Sequence, residues 1–185
     1  MGAARGIALA VLVLAACTRH EAPFSPVEST RIAQVALRAL FVDREDARSV
    51  LLWTGSLADA PTFGQKRLRS AATSSLVVSE SLTLAHLDTA TLRLPVPVHA
   101  VDPALLDRHF REYPDGWDAW FRRFPGASGI VEVTAPVRRS GGAAALLVAR
   151  ACGEHCHSAW RVVLSRDTTG TWRVDSTVAL ALPRS

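Results

Sequence analysis

Lysine is nearly missing from this chain: Lys66 is the only one, against twenty arginines among 185 residues. Such a skew reflects GC-rich coding more than a nucleic-acid surface. The basic residues are also dispersed. Arg122-Arg123 and Arg138-Arg139 are doublets, and Lys66-Arg67 with Arg69 is the densest cluster. No RNP motif, basic helix or zinc-finger spacing is present, so no nucleic-acid partner is expected despite a sequence pI near 9.6. Solvated arginines are the simpler reading of the 66–69 cluster; a patch for anionic lipid or polysaccharide is the sharper one. Internal repeats and low-complexity stretches are absent. So is a G-x-S-x-G nucleophile elbow. Gly141-Gly142 follows the wrong elements for a phosphate loop, and Asp43 to Asp46 lacks the glycine and terminal glutamate of a calcium loop. No cofactor is expected. What remains is an ordinary globular composition, 49% hydrophobic and 21% charged with 11 Gly and 10 Pro. That supports one domain with a real core and excludes a disordered tail, a collagen-like repeat or a multidomain assembly.

The first residues read as an address. Arg5 precedes an unbroken apolar run from Ile7 to Ala16, too short to span a bilayer as a mature helix. Cys17 follows. The tetrad Leu14-Ala15-Ala16-Cys17 resembles the lipobox of bacterial lipoproteins. The resemblance implies cleavage before Cys17 and a diacylglyceryl group on its thiol, with two or three acyl chains in all; two suffice for stable anchoring. A plain secretory signal with a stray cysteine is the alternative. Thr18 after the cysteine resembles the outer-membrane sorting pattern of Gram-negative lipoproteins. The expected location is therefore the cell envelope, at the periplasmic face of the outer membrane if the host is Gram-negative. The expected division is a signal peptide over 1–16, a lipidated cysteine and tether over 17–25, and a single domain over 26–185. Removing the first sixteen residues takes away one arginine and no acid, so the formal charge falls from +4 to +3.

Ser25-Pro26-Val27-Glu28 is a capping-box pattern with proline at the first helical position. Ile32, Val35, Ala36, Ala39 and Leu40 then share one face, which predicts a helix from Pro26 to about Phe41. Ser49 to Ser56 reads as a strand, Ala58 to Ser70 as a surface loop, and Ser75 to Leu84 as a further strand. Pro95 and Pro97 make Thr89 to Ala100 extended and place it at a sheet edge. Asp102-Pro103 starts a second helix to Arg111, and Trp117 to Arg123 forms a third. Four strands follow: Ser128 to Arg138, Ala143 to Ala151, Ser158 to Ser165 and Thr171 to Leu182, with turn signals between them. The predicted fold is α+β: a curved antiparallel sheet ending in a four-strand meander, with about three helices packed on one face.

The C-terminal stretch is similar to a group of bacterial secreted proteins and lipoproteins. The residues that carry this are Trp117, Trp120, Phe121, Phe124-Pro125 and Gly129-Ile130, then Ala145 to Val148. Cys152-Gly153, Cys156 and Gly170-Thr171-Trp172-Arg173-Val174 complete the pattern. His157 departs from it, at a position where glycine is common. The resemblance supplies no catalytic residues. The order of helices and meander also resembles NTF2-like domains at the level of fold alone.

Cys152 to His157 is the one chemically dense segment. In an oxidising compartment Cys152 and Cys156 are expected to pair as a staple on a hairpin turn. The sharper reading is a metal site using Cys152, His155, Cys156 and His157. Alternation along a hairpin and the lack of a second ligand segment weigh against it, so no bound metal is expected. A redox motif fits less well, because this spacing is not Cys-x-x-Cys at a helix start. Trp117, Trp120 and Phe121 read as core, with a ligand groove as the alternative. Glu112, Asp115 and Asp118 read as helix-end acids rather than an acid–base pair. His86, His99 and His109 are scattered. The expected function is a lipid-anchored, non-catalytic binding or structural module that meets an unknown protein or small-molecule partner. The alternatives are a small enzyme with an NTF2-like pocket and an envelope metal-binding protein.

Overall fold

Five consecutive residues, Ser49–Trp53, form a strand buried along its whole length. A strand with no solvent face must be covered on both sides, and the architecture follows from that. The computed structural model describes residues 22–55, 85, 87, 89–153 and 155–180. Cys17, His86, the 66–69 basic cluster, the predicted loop over 58–70 and the predicted strand over 75–84 lie outside them.

The described elements are α1 (Pro26–Leu37), β1 (Ser49–Trp53), β2 (Val98–Val101), α2 (Pro103–Glu112) and α3 (Gly116–Arg123). After them come β3 (Ala127–Val133), β4 (Val137–Arg138), β5 (Ala144–Ala151), β6 (His157–Arg166) and β7 (Trp172–Ala179). They build one open, curved sheet in the order β2-β1-β3-β5-β6-β7, with β4 added on β5. The α+β class and the antiparallel C-terminal meander are as predicted. The N-terminal half differs: β1 is parallel to both β2 and β3, so the sheet is mixed. The path from β2 through α2 and α3 to β3 is a crossover, the connection that parallel strands require. Pro95 and Pro97 do precede an edge strand, β2.

The helices also lie on both faces rather than one. Val50, Leu52, Val131, Leu146 and Val162 share a core cluster with Ile32, Ala36 and Leu37 of α1. Leu51, Trp53 and Ile130 belong instead to a cluster with Leu106 of α2 and Trp120 of α3. Neighbouring residues of one strand point to opposite faces. α1 therefore covers one side, against β5, β6 and β7, and α2 with α3 covers the other.

Local signals set the ends of these elements. Ser25 Oγ accepts from the Glu28 amide at 3.2 Å and caps α1. Asp102 caps α2, accepting from the Leu105 amide at 2.6 Å. The first helix does not run on as an α-helix to Phe41. It widens into a π-turn over Arg38–Val42, closed by Asp43 N–H donating to Arg38 O at 2.9 Å. The wide turn buries both Leu40 and Phe41, and Phe41 meets Trp160 edge-on at 5.8 Å. In β3 the pairing with β1 slips beside Gly129, whose φ is +131°. A Cβ there would overlap the Ala151 carbonyl, so only glycine suits that bulge.

Candidate functional site

The cysteine–histidine loop closes on itself. Cys152 and Cys156 lie at disulfide distance, with Cα atoms 4.9 Å apart. Cys152 N–H donates to Cys156 O at 2.8 Å, which shapes the β5–β6 turn. His155 is exposed, whereas His157 opens β6 opposite Ala151. Bridged sulfurs offer no thiolates to a metal, and among the described residues no three of His, Cys, Asp and Glu converge. The four-residue metal reading therefore has no geometric support.

Trp117, Trp120 and Phe121 form packing, not a groove. Trp120 has no exposed surface and lies at the centre of the α2–α3 cluster. Trp117 and Phe121 stack on each other at 5.9 Å and are half-buried. Helical spacing turns these aromatics inward because the β1 face beneath them, Leu51 and Trp53, needs a cover. His109 joins the same cluster. Its ring stacks on Tyr113 at 4.8 Å and meets Trp120 edge-on at 4.9 Å. Nε2 lies 3.0 Å from Gly116 O. A carbonyl can only accept, so Nε2 donates this hydrogen bond. Nδ1 has no partner in the fold. His109 is a core histidine that ties the α2 end to the α3 start.

The acids near α3 do not pair for acid–base work. Asp115 binds Arg122 instead, and that guanidinium holds its carboxyl below the usual range. Asp107 binds Arg111 one turn along α2. His99 is exposed on edge strand β2, 5.5 Å from the Phe124 ring.

One titratable group escapes the sequence reading. Glu132 sits near the C-terminal end of β3 opposite Ala149 and is 6% exposed. Burial pushes its carboxyl from 4.5 up to about 7. No neighbouring charge contributes to that rise, and Oε2 has no hydrogen-bond partner. An acid near neutrality in a low-dielectric wall is able to give or take a proton at ambient pH. The signal was a lone carboxylate inside an apolar strand.

The segment before α1 is not a free tether over its whole length. Arg138 Nε–H donates to Ala22 O at 2.8 Å. Phe24, read as tether, is 7% exposed and packs edge-on against Trp172 at 5.8 Å. The Arg138 guanidinium lies 4.0 Å over the Phe24 ring, and that of Arg166 lies 4.9 Å over Trp172. Glu28 takes an ion pair from Arg166 and reaches Arg138 Nη2 at 4.0 Å. The docked part of the domain therefore includes Ala22 and Phe24 and does not begin at Pro26, because Phe24 completes the core beside Trp172.

A groove of about 500 Å³ opens next to this latch, between α1 and the β6–β7 turn. Arg31, Gln34, Glu28, Arg166, Thr171 and Trp172 line it. Its turn-side wall is fixed by Asp167, whose carboxylate accepts from Thr169 Oγ1 at 2.7 Å and from the Thr171 amide at 3.0 Å. Those bonds, led by the Thr169 hydroxyl, hold its carboxyl below the usual range. Gly170 takes φ +81° to complete that turn. Arg31 is exposed, and no described carboxylate pairs with it. Comparison with protein-family models, with curated proteins and with solved structures found no match to this chain.

Proposed function

We propose that the protein is a cell-envelope lipoprotein anchored through Cys17, and that its domain is a non-catalytic binding module held close to the membrane. The observation that carries this reading is the docking of the chain from Ala22 onward, five residues after the lipobox cysteine. A lipid on Cys17 then holds a defined face of the domain at the bilayer, with the groove beside it. The aromatic residues and the buried histidine are committed to packing, which suits a rigid module. Cys17→Ser should abolish incorporation of labelled palmitate and the diacylglyceryl mass on the mature chain. Palmitate incorporation that persists in that variant overturns the reading.

Glu132 favours a second reading, a small enzyme with a general acid or base on the sheet. It lacks a companion: no neighbouring charge acts on it. The distinction is chemical. An enzyme would lose its turnover in Glu132→Gln, whereas a binding module would keep its ligand.

A further inference from the structure

The groove beside α1 has a shape, a charge and a place relative to the anchor. We propose that it receives the phosphate head group of an anionic phospholipid in the membrane that holds the chain. This rests on the lipid anchor at Cys17.

The volume comes first. About 500 Å³ is in the range of small-ligand sites. A glycerophosphate head group fits within that volume, and the groove opens to solvent, as a ligand whose tails stay in the bilayer needs. The charge comes next. Arg31 and Arg166 lie on the rim with Glu28 as the lining acid, and Glu28 is already engaged by Arg166 and faces Arg138. Asp167 is turned back onto the Thr169 and Thr171 groups of its own turn. Two lining arginines against one lining carboxylate leave the rim positive. A guanidinium is a planar fork that matches phosphate oxygens, and Arg31 has no described acid to satisfy it. Thr171 and Gln34, whose Oε1 accepts from the Arg93 amide at 2.9 Å, add polar atoms to the lining beside Trp172.

Position selects a membrane lipid over a soluble anion. Cys17 and Ala22 are five residue steps apart, and an extended chain of that length reaches at most about 18 Å. A domain of this size has a radius of gyration near 15 Å and so spans about 40 Å. The anchor is therefore shorter than the domain is wide. The face around Ala22, Phe24 and Arg138 has to meet the head groups, and the groove shares Glu28, Arg166 and Trp172 with that latch. The α2–α3 face lies on the opposite side of the sheet.

The test uses the full lipidated chain reconstituted into vesicles of phosphatidylcholine, with or without phosphatidylglycerol. With Cys17 acylated and Cys152 bridged to Cys156, one added cysteine is the only free thiol. Val27→Cys places a fluorophore at the groove, where residue 27 is 65% exposed. Asp118→Cys places it on exposed α3. A lipid with a head-group quencher should quench the Val27 label and not the Asp118 label, and more so with phosphatidylglycerol. Arg31→Gln, at an exposed site, should lower the ratio of quenched to unquenched Val27 label about fivefold, the worth of one arginine at an anionic surface. Equal quenching at both positions, or no response to phosphatidylglycerol, overturns the proposal. Intact mass separates the two layers of the argument. A chain without the diacylglyceryl adduct overturns the anchor and this proposal with it, whereas an acylated chain with equal quenching overturns the groove alone.

Discussion

Replacing Glu132 by glutamine keeps the outline of the side chain and removes its titration. In the folded chain the carboxyl ionises near 7, because burial disfavours the charge; its ordinary value is 4.5. Between those two values the folded chain holds a proton that the unfolded chain has released. The native state thus binds more protons there, and stability falls as pH rises, by about 1.4 kcal/mol per pH unit. Its contribution is fully present below pH 4.5, declines through the interval and is exhausted above about 7. The total is about 3 kcal/mol. Glu132→Gln should lack this slope. A buried amide carries its own penalty, about 1–3 kcal/mol when unpaired, but that penalty does not change with pH. Urea denaturation of the chain from Thr18 onward, followed by tryptophan fluorescence from pH 4 to 8, measures both curves. The stability of the variant relative to the wild type should rise by about 3 kcal/mol from the acid end to the alkaline end. Parallel curves would mean that Glu132 ionises in the fold as it does in the unfolded chain, and the account of its burial would fail.

Trp120→Ala should destabilise by about 3–5 kcal/mol in the same assay, since the indole is fully buried; a negligible loss would put it at the surface and restore a groove there. Phe24→Ala should cost about 3 kcal/mol, while deletion of 18–21 should leave the melting temperature unchanged. Equal, small effects would show that the latch does not hold. Replacing Cys152 and Cys156 by serine should cost about 2 kcal/mol, the loop-entropy figure for so short a closure. A loss well above that would give the bridge a larger structural part than a staple on a turn.

The parts of the fold that read directly from the sequence are those with local causes. Ser25-Pro26 and Asp102-Pro103 start helices because capping geometry needs only neighbouring residues. The meander follows from alternation and tight turns. Parallel pairing has no such local cause: Val50 meets Val98 and Ser49 meets Ala127 across long intervening segments. The continuous apolar run Val50 to Trp53 did carry the evidence that both faces are covered. Glu132 was hidden by the same assumption. In Val131-Glu132-Val133 a one-sided sheet would give the acid to solvent, but this sheet is covered on that side. Phe24 is a lone apolar residue in a polar segment, and no periodicity marks it. The Cys152–Cys156 pairing was expected because two cysteines so near in sequence pair in an oxidising compartment, and they lie at disulfide distance.

The parallel position of β1 has a consequence for the order in which the molecule comes together. The strands from β3 to β7 pair with near neighbours through short turns, and such contacts close early. β1 instead sits between two partners that follow it far along the chain. A polypeptide emerging from its N-terminus presents Ser49 to Trp53, five residues made to be wholly enclosed, long before β3 exists to receive them. Seating β1 between β2 and β3 thus closes contacts of long sequence separation, and a chain in which it has not happened leaves an apolar strand edge open to other chains.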